Sequence, residues 1–124
     1  MNKDFATLLN CMDGRTQLPA ITWIMNNFKV EYVDIISEPG MDKLLCTQNA
    51  DIMNSLNRKI AISLNSHGSK IIFVAGHYDC AANKANKDEH IAQIKKAVDI
   101  LKQLYQDITV IGLWINEDFQ VEKV

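Results

Sequence analysis

Two short segments carry the residues best suited to chemistry: Cys11-Met12-Asp13-Gly14-Arg15 and His77-Tyr78-Asp79-Cys80. Together they supply two thiolates and one imidazole, a ligand set that Zn²⁺ favours and that can leave a fourth coordination position open. His77 and Cys80 are three residues apart, so a turn at a strand end can present both to one ion. Cys11 comes from a different stretch of chain and completes the set. The fourth position falls either to Asp13, which makes the centre structural, or to water, which makes it catalytic.

Asp13 and Arg15 lie two residues apart. An opposite charge that close lowers a carboxylate's pKa and fixes its direction, and arginine suits a two-pronged clamp on a carboxylate. A clamped Asp13 beside a zinc-bound water accepts its hydrogen bond, orients the hydroxide and stays off the metal. Zinc lowers the pKa of bound water toward ~7 in favourable sites. Two thiolates neutralise the ion's charge, so this water should be less acidic than one held by three histidines. Activity is therefore expected to rise at alkaline pH.

The elements that must position these residues are legible in the apolar pattern. Phe5-Ala6-Thr7-Leu8-Leu9 reads as a buried strand leading to Cys11. Leu18, Ile21, Ile24, Met25 and Phe28 then recur at helical spacing, with Thr16 as N-cap and Pro19 in the first turn. Tyr32 to Ile36 is a second strand, stopped by Glu38-Pro39-Gly40. Asp51 caps a helix with Ile52, Met53, Leu56, Ile60 and Leu64 on one face, and Gly68 ends it. Lys70 to Ala75 is a continuous strand that delivers His77. A third helix from about Lys87 to Tyr105 carries Ile91, Ile94, Val98, Leu101 and Leu104 as its buried stripe. Ile108 to Ile115 is the last core strand, and a turn at Asn116-Glu117-Asp118 leads into a short antiparallel strand, Phe119 to Val124.

Alternating strands and helices specify an α/β domain with a mostly parallel sheet and helices on its faces. Continuous apolar strands agree, because both sides of such a sheet are covered. Ligands of open α/β sheets sit beyond the carboxyl ends of the strands, and Cys11 and His77 both fall there. No repeat, low-complexity stretch or linker divides residues 1–124, so one domain is expected.

Composition narrows the class further. The 124 residues are 48% hydrophobic and 23% charged, ordinary for a globular protein. A net charge of −2 gives no electrostatic case for nucleic acid or anionic membrane. Lys84, Lys87, Lys95, Lys96 and Lys102 alternate with Asp88, Glu89 and Asp99, as on a solvated helix face. No apolar run reaches the ~18 residues of a membrane span, and Met1-Asn2-Lys3-Asp4 lacks the apolar core of a signal peptide. The expected location is cytoplasmic. Three cysteines there read as thiols or metal ligands, with Cys46 as a small buried bystander.

Cys-x-Asp-x-Arg followed later by Gly-His-x-x-Cys resembles the paired motifs of the β-class carbonic anhydrases. The likeness continues in Asn54-Ser55-Leu56, in Ile71 through His77, and in Val110 to Trp114 with Val121-Glu122, so it spans most of the chain. The resemblance implies a β-carbonic-anhydrase-like fold with strand order about 2-1-3-4 and a short antiparallel edge. It implies one Zn²⁺ held by Cys11, His77 and Cys80, and Asp13 and Arg15 as the catalytic dyad. The implied reaction is reversible hydration of CO₂ to bicarbonate, with zinc-bound hydroxide as the nucleophile, in a homodimer. Two alternatives stand beside it: a zinc hydrolase of a CO₂-like substrate such as carbonyl sulfide or carbon disulfide, and a non-catalytic zinc protein.

The chain also departs from that family. Ser37-Glu38-Pro39-Gly40 stands where an Arg-Asn-Ala-Gly-like segment is common, Ala81 replaces a glycine, and the chain starts at its first strand without a helical arm. Gly40 and Glu38 remain candidates for the substrate side of the pocket, by position at the carboxyl edge of the sheet. Asp79 is expected to cap its own turn, His67 to sit favourably at a helix end, and His90 to be exposed. Trp23 and Trp114 read as core or interface aromatics.

Overall fold

Each apolar run becomes a strand and each long periodic stretch a helix in the computed structural model, which describes residues 4–124. Met1-Asn2-Lys3, part of the stretch that lacks a signal peptide's apolar core, lies outside the described residues. The strands are β1 Phe5–Asn10, β2 Tyr32–Ser37, β3 Ile71–His77, β4 Thr109–Ile115 and β5 Val121–Lys123. The helices are α1 Gly14–Phe28, α2 Met41–Thr47, α3 Ala50–Ala61 and α4 Lys87–Leu104, and a π-helical turn, Ile62–Ser66, continues α3. The sheet order is β2-β1-β3-β4-β5, parallel except for the β4–β5 pair. Fold class and strand order therefore agree with the sequence reading.

Alternate strand residues feed two cores, as the two-residue period of a strand requires. Ala6, Leu8, Phe73, Ala75, Leu113 and Ile115 pack with Ala20 and Ile24 of α1 on one face. Leu9, Ile36, Ile72, Val74 and Val110 pack with side chains of α2, α3 and α4 on the other.

The helix expectations need four corrections. First, α1 is capped by Asp13, whose side chain accepts from the Arg15 amide, rather than by Thr16. The helix thus begins earlier, and Pro19 sits beyond its first turn. Second, its buried line is Thr16, Ala20 and Ile24, while Leu18 is 72% exposed. Thr16 and Ala20 join Ile24 against the sheet, while Leu18 and Met25 of the expected stripe are left exposed. Third, α2 was missed: seven residues are too few to display a helical period, and left-handed Gly40 starts it without a side-chain cap. Fourth, α3 is capped by Asn49, not Asp51, and α4 buries His90, Ile94, Ala97 and Leu101 while Leu104 is exposed.

His90 is thus not exposed. It is 1% accessible, and its Nδ1–H donates to Asp42 Oδ2 at 2.6 Å. Asn83 donates to the other Asp42 oxygen and to Gln93 Oε1. A buried carboxylate requires such partners. Space for Asp42 comes from Gly76, where an added Cβ would clash with Asp42 Oδ2. Because Asn83 follows Cys80 by three residues, this buried network also anchors the loop behind the site.

Candidate metal centre

Sheet register brings the two motifs together. Leu9 of β1 pairs with Val74 of β3, so two residues further on Cys11 comes level with Gly76, beside His77. Cys11, His77 and Cys80 are all buried, and one ligand atom from each lies within 4.8 Å of the other two. Among the described residues this is the one group of its kind. The sulfurs of Cys11 and Cys80 are 3.9 Å apart. Two thiolates at ~2.3 Å from one tetrahedral ion stand at about that separation, whereas a disulfide needs ~2.05 Å.

The histidine gives an independent test of fit. His77 Nδ1 lies 2.8 Å from the Tyr78 carbonyl, which can only accept, so Nδ1 carries the hydrogen. In the neutral ring Nε2 then presents a lone pair, and Nε2 is buried without a hydrogen-bond partner. An orphaned nitrogen beside two thiols is costly unless an ion takes it. A carbonyl holding the opposite ring nitrogen is also the usual support of a metal-bound imidazole. The residues therefore fit a zinc ion.

Local bonds set the first motif. Gln17 Nε2 donates to the carbonyls of Cys11 and Asp13, and Thr16 Oγ1 donates to the Asp13 carbonyl. Asn10, buried at the end of β1, donates to Thr16 Oγ1. The first turn of α1 thus grips the loop that presents Cys11. Burial, followed by the nearby Cys11 sulfur, pushes the Cys80 thiol up.

Asp13 does not join the ligand group. Its two oxygens accept from Arg15, Oδ1 from Nε at 3.1 Å and Oδ2 from Nη2 at 2.7 Å. The Arg15 hydrogen bonds, opposed by desolvation, lower its carboxyl to about 2. The guanidinium is in turn raised further by Asp13 and Asp79. Arg15, Asp79, Cys80, Ala81, Lys84, Trp114 and Glu117 line part of a cleft of about 740 Å³.

Sequence reasoning did not anticipate the reach of Asp79. Its side chain and its carbonyl both accept from Arg15, across from the other motif. No local pattern signals such a contact, since it exists only once β1 and β3 are adjacent. Glu38 pairs with Lys59 at 3.7 Å in a separate depression, and Gly40 seats against the backbone of Ala82. His67 stacks on Phe5 and donates to Asp34. Cys46 is half-buried, its thiol directed at the Gln93 carbonyl.

A parallel sheet bearing a Cys-His-Cys group at its carboxyl edge defines the class, and solved structures share the fold. A carbonic anhydrase from Glaciozyma antarctica superposes with a TM-score of 0.62 at 16% identity, covering 95% of this chain and 80% of that one. A cysteine-to-alanine mutant of the β-carbonic anhydrase CafD of Aspergillus fumigatus gives 0.65 at 13% identity, covering 96% and 88%. A tetrameric β-carbonic anhydrase of Sordaria macrospora gives 0.63 at 11%, covering 100% and 81%. No curated protein sequence matches. The chain belongs to the family described as "Putative carbonic anhydrase", whose model matches residues 1–124.

Proposed function

We propose that this protein catalyses the reversible hydration of CO₂ to bicarbonate at one zinc ion held by Cys11, His77 and Cys80. One observation carries the reading: His77 Nε2 is buried and unpartnered beside two thiols, while Asp13 is clamped by Arg15 outside that group. Zinc bound there would act as a Lewis acid that makes water nucleophilic near neutral to alkaline pH.

The protein's own groups would do the rest. Asp13 stays ionised at neutral pH; Oδ1 accepts from both the Arg15 amide and Nε, while Oδ2 takes only the Nη2 bond and keeps a lone pair. Oδ2 can therefore accept a hydrogen bond from water beside the Cys-His-Cys group and direct that water at the carbon. Arg15 fixes the direction of the carboxylate. Trp114 and Tyr78 give the cleft apolar wall suited to CO₂, and charged Lys84 and Glu117 line the same cleft.

A homodimer belongs to the same proposal. Exposed Met12 and Tyr78 lie within the two metal-binding segments and exposed Leu18 follows the first, where a second copy would cover them.

Turnover of CO₂, carbonyl sulfide and carbon disulfide, compared at pH 8–9 on protein of known zinc content, tests the activity. CO₂ should be the preferred substrate by at least tenfold. Preference for a sulfur analogue would make the protein a hydrolase, and no turnover of any of the three would make it a zinc-binding protein without catalysis.

A further inference from the structure

The guanidinium of Arg15 is held on two edges. Asp13 takes Nε and Nη2, and Asp79 takes the other edge, with Nη1 donating to Oδ2 at 3.3 Å and Nη2 to the Asp79 carbonyl at 3.1 Å. The Phe119 ring lies 5.5 Å from Cζ and covers one face. Arginine presents its donors in a rigid planar fork, so bonds on both edges fix the plane as well as the position.

Asp79 is built for this contact in an unusual way. Its φ is 58°, a left-handed conformation that non-glycine residues rarely adopt and that aspartate tolerates better than most. That turn lets one residue offer Arg15 both its carboxylate and its carbonyl, immediately before Cys80. The Asp79 side chain is 69% exposed, so the contact is not a product of core packing.

We infer that Asp79 is a positioning residue: by holding the outer edge of Arg15 it keeps Arg15 closed on Asp13, and so keeps the Asp13 carboxylate away from the metal position. This rests on the zinc-site reading above. Without the Asp79 carboxylate Nη1 loses its partner, and the outer edge is held only by the backbone carbonyl on Nη2, so the guanidinium can swing with its exposed stem. Asp13 then spends part of its time unclamped, two residues from Cys11, where its oxygen can close the fourth coordination position.

The test uses Asp79→Asn, which retains left-handed preference without the charge, and Asp79→Gly, which accepts that backbone freely without the side chain. Exchange of the Arg15 Nε–H, followed by NMR, should quicken about two- to fivefold in both variants, the range expected of an exposed ion pair. In protein loaded with Co²⁺, the visible spectrum should shift as a carboxylate oxygen joins the two sulfurs and one nitrogen. Both changes are expected with the folded state retained, and Asp79→Gly should show the larger. Unchanged Arg15 exchange, or an unchanged spectrum in protein that takes up cobalt, overturns the positioning role. Failure to take up cobalt at all overturns the metal reading instead, and the proposal with it. Both effects together would support the role even in a protein that does not hydrate CO₂.

Discussion

The Cys11 and Cys80 sulfurs stand 3.9 Å apart at the ends of segments that the sheet order makes neighbours. The separation suits two ligands of one ion better than a bonded pair. Because burial holds the Cys80 thiol protonated to higher pH, an ion must displace that proton as it binds.

Zinc affinity should therefore climb with pH until both thiols ionise without help from the metal. Competition with a chromophoric chelator across pH 6–9 measures this, together with proton release in weakly buffered solution. An affinity independent of pH would mean that the thiols are not the ligands.

Arg15 should control the Asp13 titration. Asp13 has a carboxyl near 2 in the folded chain against 3.8 as a free side chain. A depressed folded value adds stability that is fully present above about pH 4 and fades as pH falls through 2. NMR of the zinc-free protein should find the low midpoint. In Arg15→Gln it should return toward 3.8, and the acid-side loss of stability should shrink.

Gly76→Ala should destabilise the fold by about 1–3 kcal/mol or more, because the new methyl meets Asp42 Oδ2 and Ile94 Cδ1. His90→Leu should cost at least about 1–3 kcal/mol by leaving Asp42 short of a partner. Urea titrations read both. Gly76→Ala combined with Asp42→Ala should lose less than the sum of the two single changes, since the clash is shared.

Much of this was legible from residue order. The strands announced themselves as apolar runs, and the spacing of Cys11, His77 and Cys80 pointed to one ion before the fold was known. The Asp13–Arg15 clamp was visible for the same reason: its partners are two residues apart. What escaped was tertiary. Asp42 and His90 are far apart in sequence, and nothing on α4 announces that its first turn faces a buried carboxylate. The α1 face was misjudged because hydrophobicity favours Leu18 over Thr16, whereas packing against the sheet favours the smaller side chain. Asp79 looked like a local turn residue, and its partner appears only across the β1–β3 seam.

The central claim is that catalysis resides at the Cys11, His77 and Cys80 centre. Its most direct test is the initial rate of CO₂ hydration at alkaline pH in preparations loaded with zero to one zinc per chain, run beside Cys80→Ser. The rate should rise in proportion to zinc, with Cys80→Ser binding zinc at least ~100-fold more weakly and losing activity with it. Full activity in zinc-free Cys80→Ser protein would contradict the account.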